Sequence, residues 1–324
     1  MPLEPVRELS LVYPATRGSM TGAAIGLDPL IDGTLCHYQL TSCSNPNLLP
    51  EGSMTATAAA KPLTLVENRG PIEILTLNRP EALNAMSPEL ADELASYFQG
   101  LQKRRDVRVV LIRAEGRAFC AGGDLDSQAF ASPGPGRAQR QYDIQVRYAA
   151  VTRSMRSCPQ PIIALVQGPA CGAGFSLTLA ADIRYCTPEA KFNAAYIKIG
   201  VSGTDMGSGY FLPKLVGLSV ASEFLMTGRF ISPQRALATG LVSDVVPADK
   251  LLETGLELAN DMLKTAPMGL RLTKESLNAL SQIGSIEAAL AFEDRQQILL
   301  METADHREAV AAFKEKRAPN YTDT

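Results

Sequence analysis

Two glycine-rich turns place the strongest constraint on what this chain can fold into. The first reads RAFCAGGDL (Arg117–Leu125) and the second reads GPACGAGFS (Gly168–Ser176). Each sets small residues between an apolar, strand-like run and a segment that the sequence predicts to be helical. Backbone N–H groups at such a junction lack partners within the helix and can point into a cavity. The two turns together predict that free amides from both converge on one point.

Converging amides stabilise an oxygen that acquires negative charge, in a thioester enolate or a tetrahedral intermediate. The chain has only two histidines, His37 and His306, in an irregular tail and a charged C-terminal helical run. A Ser-His-Asp triad and a histidine-rich metal site are therefore disfavoured. The turns also lack the GxGxxG spacing and the P-loop lysine of nucleotide sites, so no nicotinamide, flavin or metal cofactor is expected.

The composition favours a globular protein and excludes some classes of partner. Of the 324 residues, 46% are hydrophobic and 20% are charged, and the net charge of −3 gives no reason to expect nucleic-acid or membrane binding. No apolar run reaches the roughly 18 residues of a membrane span. The six cysteines form no CxxC pair. This usage favours a reduced chain, and we expect a cytoplasmic protein.

The chain divides into three regions by composition. Residues 1–60 mix Pro, Gly, Ser, Thr and Asn without a sustained period, and we expect a disordered N-terminal extension. Residues 61–260 form the predicted core, and residues 261–324 form a predicted helical C-terminal region. Within the core, strand-like runs are expected at Leu63–Asn68, Ile72–Asn78, Val107–Glu115, Pro161–Gly168, Ile183–Cys186 and Lys191–Gly200.

Helical segments alternate with these strands. Ser87-Pro88 opens the first helix, because serine can cap a helix and proline suits its first position. Further helices are predicted near Gln139–Ser157 and Gly174–Ala181, and the chain is almost wholly helical from Ala248 onward. Strand pairs that alternate with helices predict an α/β layer architecture built from ββα units.

An ordered set of motifs resembles the crotonase (enoyl-CoA hydratase/isomerase) superfamily between about Leu63 and Tyr321. Besides the two turns, the set comprises LTLNRPEALNAM (Leu75–Met86), AADIRYCTPEAKF (Ala180–Phe192), LPKLVG (Leu212–Gly217), TGRFISPQRALATGLVSDVVP (Thr227–Pro247) and FKEKRAPNY (Phe313–Tyr321). The resemblance implies a crotonase-like spiral of ββα units with a helical C-terminal region. It also implies an acyl-CoA substrate, with coenzyme A as part of that substrate, and homotrimers or dimers of trimers.

The resemblance assigns roles to particular residues. It places the two oxyanion-hole amides at Gly123 and Ala173, whose small side chains allow close approach of backbone and thioester. The alternative is that both are only tight-turn residues. The residues expected to contact coenzyme A are Arg79, Arg117, Ala121, Gly122, Asp124, Lys316 and Arg317. For the arginines and Lys316, the alternative is an ordinary solvated surface charge.

The chain departs from the family pattern where hydratases carry two glutamates around one water. Those positions fall on Ser176 and Tyr196, and neither is a carboxylate. Loss of either general acid or base is costly, so we expect a poor or unusual hydratase. Serine at the first position resembles feruloyl-CoA hydratase-lyases, and Tyr196 can donate a hydrogen bond to substrate or enolate.

One acid remains in a suggestive position. Asp205 lies in a segment similar to the dienoyl-CoA isomerases, in which an aspartate near this position moves a proton. Burial among apolar groups would raise its pKa and suit proton shuttling. Alternatively, Asp205 caps the following helix, or pairs with Lys198, which at strand spacing shares a side with Tyr196.

Three classes of function remain open. The first is an enzyme that isomerises or hydrates an enoyl-CoA. The second keeps the fold but hydrolyses or cleaves the acyl-CoA, with release of free coenzyme A or carbon–carbon cleavage. The third is a non-catalytic acyl-CoA-binding or RNA-binding relative. For RNA, Lys103-Arg104-Arg105 gives a small basic cluster, but nucleic-acid binding normally needs a wider basic surface.

Overall fold

A six-stranded sheet forms the centre of the computed structural model, which describes residues 61–127 and 134–324. The predicted extension, residues 1–60, lies outside this range. The strands are β1 Thr64–Arg69, β2 Ile72–Leu77, β3 Val109–Ala114, β4 Ile162–Val166, β5 Pro169–Cys171, β6 Ile183–Cys186, β7 Lys191–Asn193 and β8 Asp244–Val245. The main sheet has the order β1-β2-β3-β4-β6-β8, and β5 and β7 form a second sheet.

The strand directions explain which runs of the sequence are apolar throughout. Among the strands of the described residues, only the β1–β2 pair is antiparallel, and the other strand pairs are parallel. The sheet interior, β2 to β4, is buried almost along its whole length. Parallel strands covered on both faces require such continuous apolar sequences. The predicted strands at these three positions are therefore confirmed.

Helices cover the sheet and continue beyond it. They are α1 Pro88–Gly100, α2 Arg137–Ser157, α3 Ala173–Ala180, α4 Ser208–Val216, α5 Leu218–Thr227, α6 Pro233–Ala238, α7 Leu251–Leu263, α8 Pro267–Leu280, α9 Ile286–Met301 and α10 Ala304–Glu315. The predicted start of α1 is confirmed, since the Ser87 side chain accepts a hydrogen bond from the Leu90 N–H at 3.3 Å. The predicted α/β layer architecture is confirmed as well.

The sheet separates two hydrophobic cores. On one face, Leu75 and Leu77 of β2 join α1, α2 and α3, and on the other face Ile72 and Ile74 join α7. Alternate residues of a strand point to opposite faces, so each strand contributes to both cores. At Gly255 an added Cβ would lie only 2.8 Å from a methyl carbon of Leu165, which shows how closely α7 approaches the sheet.

One predicted strand is much shorter than expected. The sequence favoured extended structure over Lys191–Gly200, but β7 ends at Asn193 and a 3-10 helix follows at Ala195–Ile199. Pairing of β7 stops where its partner strand ends, at Cys171. With three residues per turn, positions two apart in a 3-10 helix point to different sides. The prediction that Tyr196 and Lys198 share one side was therefore wrong.

The described residues also show what the chain offers for membrane spanning, for disulfide bonds and for metal binding. Within residues 61–127 and 134–324, no helix is both long and apolar enough to cross a membrane. In the same part of the chain, Cys120, Cys158, Cys171 and Cys186 carry free thiols. The described His, Cys, Asp and Glu side chains form no group of three that could hold a metal ion.

Candidate active site

The two glycine turns meet at the end of the second sheet. Cys120 of the first turn forms a β-bridge with Ala170 of β5, and the Cys171 N–H donates to the Cys120 carbonyl at 2.9 Å. A Cβ added at Gly172 would lie 3.5 Å from the Cα of Gly122. The backbones of the two turns are therefore in direct contact, as the sequence predicted.

Small residues are a steric requirement of this contact. A Cβ at Gly174 would lie 2.3 Å from the Cys120 carbonyl oxygen and 2.6 Å from the Cys120 Cβ, far inside van der Waals distance. Gly172 has a φ of 49° and a ψ of −119°, a conformation that residues with a Cβ rarely adopt. Glycine at these two positions lets the first residues of α3 lie against the first turn.

Two amides at this junction are left without partners. In the β-bridge between Met86 and Gly123, the Met86 N–H donates to the Gly122 carbonyl at 2.7 Å and the Asp124 N–H donates to the Met86 carbonyl at 2.9 Å. These two bonds flank Gly123 and do not use its N–H. Ala173 is the first residue of α3, where the N–H has no acceptor within the helix. Neither amide donates a hydrogen bond to any of the described residues. The positive end of the α3 dipole also favours an anion here.

Ser176, Tyr196 and Asp205 form one cluster beside the second turn. The Ser176 hydroxyl lies 2.5 Å from the Tyr196 hydroxyl and donates to the main-chain carbonyl of Asp205 at 2.8 Å. The Tyr196 hydroxyl donates to the Gly172 carbonyl at 2.6 Å. The structure thus brings together the three residues that the sequence singled out. Ser176 contacts the main chain of Asp205 and not its carboxylate.

The hydroxyl protons of this cluster are coupled. Three close oxygen–oxygen contacts share the two protons of Ser176 and Tyr196, so a change of donor at one contact changes the others. Burial raises the pKa of Tyr196 well above its ordinary value, and the phenol stays protonated. Neither side chain is a base at neutral pH.

The carboxylate of Asp205 is half-buried and held by two donors. Its Oδ1 accepts from the Gln145 side-chain amide of α2 and from the Met206 N–H at 2.7 Å. Burial raises the pKa of this carboxyl, and the two hydrogen bonds partly oppose that shift. The carboxyl is therefore set to exchange a proton more readily than an exposed aspartate.

The two structural alternatives for Asp205 are not realised. Helix α4 begins after Gly207, and no side chain caps it. Asp205 instead uses its own N–H to donate to the Ser208 hydroxyl at 2.9 Å. Lys198 is not among its described partners and lies against Gly228, where an added Cβ would be 3.1 Å from the Lys198 Cε. The proposed capping and lysine pairing were therefore wrong.

Arg79 and Asp124, expected at the coenzyme A rim, bind each other. Their ion pair measures 3.0 Å, and Arg79 also donates to the Ala85 carbonyl at 2.6 Å. Both side chains are about four-fifths buried. This ion pair joins the LNRPEALNAM segment to the first turn, and the sequence did not predict it.

The remaining expected contacts lie at different places. Ala121 is exposed beside the first turn, and its N–H donates to the Leu83 carbonyl at 3.0 Å. Arg117 is exposed at the start of this turn. Lys316 and Arg317 follow α10, and Arg317 pairs with Glu308 and Glu315, both at 2.6 Å. The described contacts of Arg317 are thus to its own C-terminal region.

Gln145 is the one site residue that sequence reasoning missed. It lies on α2, sixty residues before Asp205, and its side chain is on the exposed part of the helix. A single polar residue on an amphipathic helix carries no motif. Only the tertiary packing of α2 against the segment before α4 brings it to the carboxylate.

Comparisons with known proteins agree with this geometry. Residues 67–324 match the family model described as enoyl-CoA hydratase/isomerase. A Mycobacterium tuberculosis protein named "Probable enoyl-CoA hydratase EchA12" is 37% identical over 265 residues, which cover 81% of this chain and 93% of that protein. The 1,2-epoxyphenylacetyl-CoA isomerase of Escherichia coli is 33% identical over 248 residues, covering 76% and 94% of the two chains.

The fold gives the same result. The crystal structure of an enoyl-CoA hydratase from Bacillus anthracis superposes with a TM-score of 0.76 at 30% identity, covering 81% of this chain and all of that one. The match to the family model, residues 67–324, includes both glycine turns and the helical C-terminal region. The resemblance inferred from the motifs is confirmed, and the chain belongs to the enoyl-CoA hydratase/isomerase (crotonase) family.

Proposed function

We propose that this protein isomerises a carbon–carbon double bond in an enoyl-CoA. The thioester oxygen would lie between the Gly123 and Ala173 amides, and Asp205 would move a proton between two carbons of the acyl group. The observation that carries the proposal is the contact of the two turns, each with one amide that has no partner among the described residues, beside a cluster whose carboxylate is that of Asp205. Such amides stabilise an enolate because they point at the oxygen on which charge develops.

The same cluster argues against ordinary hydration. A hydratase must deliver a water and a proton, and this normally requires an acid and a base on either side of the water. Ser176 and Tyr196 occupy these two positions, and their hydroxyls bind each other and main-chain carbonyls. Isomerisation needs a single group that accepts a proton from one carbon and returns it to another, and one carboxylate is sufficient for this.

The environment of Asp205 suits that task. Burial raises its pKa, which makes the carboxylate a stronger base than an exposed aspartate and its acid form easier to populate. Tyr196 would act through the backbone, because its hydroxyl holds the Gly172 carbonyl and lies against Ser176. Tyr196 and Ser176 are therefore proposed as positioning residues, and Asp205 as the catalytic one.

Two other functions use parts of the same geometry. A thioester hydrolase or carbon–carbon lyase would place a tetrahedral or enolate oxygen at the same amides. An RNA-binding role would rest on Lys103-Arg104-Arg105, but Arg104 points to the buried Glu73 with an ion pair of 2.8 Å and also binds Asp106. This pairing leaves two free charges in the cluster and weakens that alternative.

Deuterium transfer tests the proposal. Enoyl-CoA isomers with the double bond at the 2- or 3-position would be incubated in deuterated water with wild type, Asp205→Asn and the exposed control Asp249→Asn, and followed by mass spectrometry. The proposal is supported if wild type and the control isomerise the substrate and place deuterium on carbon, and if Asp205→Asn does so about 10²–10⁴-fold more slowly. Net addition of water would identify a hydratase, and free coenzyme A would identify a hydrolase or lyase.

The homotrimer or dimer of trimers remains part of this proposal. The C-terminal helices carry large apolar side chains on the protein surface, and Phe313 of α10 is 85% exposed. Leu290, Ile298 and Leu299 of α9 are also exposed. Apolar surface of this kind marks protein interfaces more often than free surface. Analytical ultracentrifugation of the purified protein gives the assembly mass directly.

A further inference from the structure

A cavity of about 810 Å³ lies between α2, α4 and α8, next to the cluster described above. Ligand pockets for small molecules typically measure about 300–1,000 Å³, so this volume is large enough for an acyl group of medium length. The residues that line it do not include the two glycine turns, Ser176 or Tyr196. Its position makes it a continuation of the site and not the place of proton transfer itself.

Three elements lead from Asp205 into this cavity. Met206, the next residue, lines it. On α2, Ala149 lines it one turn, about 5.4 Å, beyond Gln145, which holds the Asp205 carboxylate. On α3, Leu179 lines it about 9 Å along the helix from Ala173, at roughly 1.5 Å per residue. An acyl chain whose reacting carbons lie at Asp205 would therefore enter the cavity with its far end.

The lining of the cavity combines apolar and cationic side chains. Its apolar lining residues are Leu179, Met206, Phe211, Leu215 and Leu277. Its charged lining residues are Arg153, Arg156, Arg184, Lys214 and one acid, Asp182. Asp182 is already bound by Arg156 at 2.7 Å and by Lys274 at 3.0 Å. A chain of net charge −3 thus carries a clear local excess of positive charge here.

The four cations differ in what they can still bind. Arg184 donates to main-chain carbonyls, among them Leu241 at 2.7 Å and Ala181 at 2.6 Å, and Arg156 is paired with Asp182. Among the described residues, Lys214 contacts the Ser281 carbonyl and hydroxyl and the face of Tyr210, and it has no acidic partner. Arg153 is exposed and has no hydrogen-bond or ion-pair partner among the described residues. Arg153 and Lys214 are therefore available to an anion.

We infer that this cavity binds an acyl tail that ends in a carboxylate, so the preferred substrates are enoyl-CoA thioesters of dicarboxylic acids. The inference rests on the proposed function, because that function places the reacting carbons at Asp205. The apolar lining fits the methylene chain, and Arg153 and Lys214 bind the terminal carboxylate through charge-assisted hydrogen bonds. A neutral tail fits the same volume but leaves both cations without a partner.

Kinetics with matched substrates test the inference. The pair is 2-octenoyl-CoA and 2-octenedioyl-CoA, which differ only in the terminal carboxylate. We expect kcat/KM to be at least about tenfold higher for the dicarboxylic substrate, since charged hydrogen bonds are the strong ones. Arg153→Gln and Lys214→Gln should each remove most of this preference, and Lys103→Gln, an exposed lysine outside the cavity, should keep it. Equal kcat/KM values for the two substrates would overturn the inference and leave the isomerase proposal intact.

Binding separates failure of the inference from failure of the proposed function. Calorimetry would use the unreactive octanoyl-CoA, octanedioyl-CoA and free coenzyme A with wild type and the Arg153 and Lys214 variants. A loss of affinity confined to octanedioyl-CoA supports the inference even if no isomerisation is found. An equal loss for free coenzyme A would place the coenzyme in the cavity and overturn it. Sedimentation of the variants must match wild type, since a changed assembly mass would make the cavity a subunit contact and also overturn it.

Discussion

Replacement of Gly174 by alanine should separate the two glycine turns. A Cβ there would lie 2.3 Å from the Cys120 carbonyl oxygen, and this backbone atom cannot move without the whole first turn. Alanine favours a helix by about 0.5–1 kcal/mol over glycine, while overpacking in a dense core costs about 1–3 kcal/mol. We expect net destabilisation of about 1–2 kcal/mol from these two terms.

The effect on activity should be larger than the effect on stability. Displacement of the first turn moves the Gly123 amide away from Ala173, and loss of one oxyanion donor costs about 10²–10³ in kcat. The matched control is Gly100→Ala, at the end of α1, where an added Cβ meets nothing within 4 Å. Urea denaturation and steady-state kinetics of both variants give the two quantities. A Gly174→Ala enzyme with wild-type kcat would refute the packing of the turns described here.

Four further predictions concern the cluster and the core. Because burial raises the pKa of Asp205, kcat/KM should rise with pH along a limb centred above the ordinary carboxyl value, absent in Asp205→Asn. A buried carboxyl with a raised pKa lowers the free energy of unfolding once it is ionised. Asp205→Asn should therefore be more stable than wild type at neutral pH, and this advantage should disappear below about pH 3.9. Urea denaturation at several pH values measures both. Tyr196→Phe removes a buried donor and should lower the free energy of unfolding by about 1–3 kcal/mol in the same denaturation assay. An unchanged urea midpoint would contradict the hydrogen bond from Tyr196 to the Gly172 carbonyl. Lys274→Met removes one of the two cations that bind Asp182 and a buried donor to the Met155 and Gln160 carbonyls, and should cost about 1–3 kcal/mol in thermal or urea unfolding. The exposed Lys264→Met should cost less than about 1 kcal/mol, and similar losses in both would contradict the role of burial.

Local sequence signals were sufficient for most of the sheet and for the meeting of the turns. The runs that became β2, β3 and β4 are apolar at nearly every position because they are buried on both faces. The small residues of the two turns predicted that their backbones converge, and the structure places Gly172 against Gly122 and Gly174 against Cys120. These features depend on the hydrophobicity and size of a few residues that are adjacent in sequence, so they can be predicted without the rest of the chain.

The contacts of individual side chains in the site could not be predicted in this way. The run after β7 is apolar and suited to a strand, but it has no partner strand beyond Cys171 and forms a 3-10 helix instead. Asp205 precedes a helix and suited a cap, yet its carboxylate is turned toward Gln145. Arg79 is suited to bind a phosphate, but its guanidinium forms an ion pair with Asp124. In each case tertiary packing chose between local arrangements of similar energy.

The position of Gly172 has a consequence for how such a site can change its chemistry. Its N–H donates to the Asn193 carbonyl at 3.0 Å, and its own carbonyl accepts from Tyr196 at 2.6 Å. The turn that presents the Ala173 amide is thus fastened mainly by main-chain atoms, with one side-chain hydroxyl added. In the proposed function the main chain supplies the electrophilic assistance, and the hydrogen bond from Gly172 to the Asn193 carbonyl remains when the side chains at 176 and 196 are exchanged. Exchange of those two side chains is then a route by which one scaffold acquires a new reaction while it retains its affinity for the thioester carbonyl.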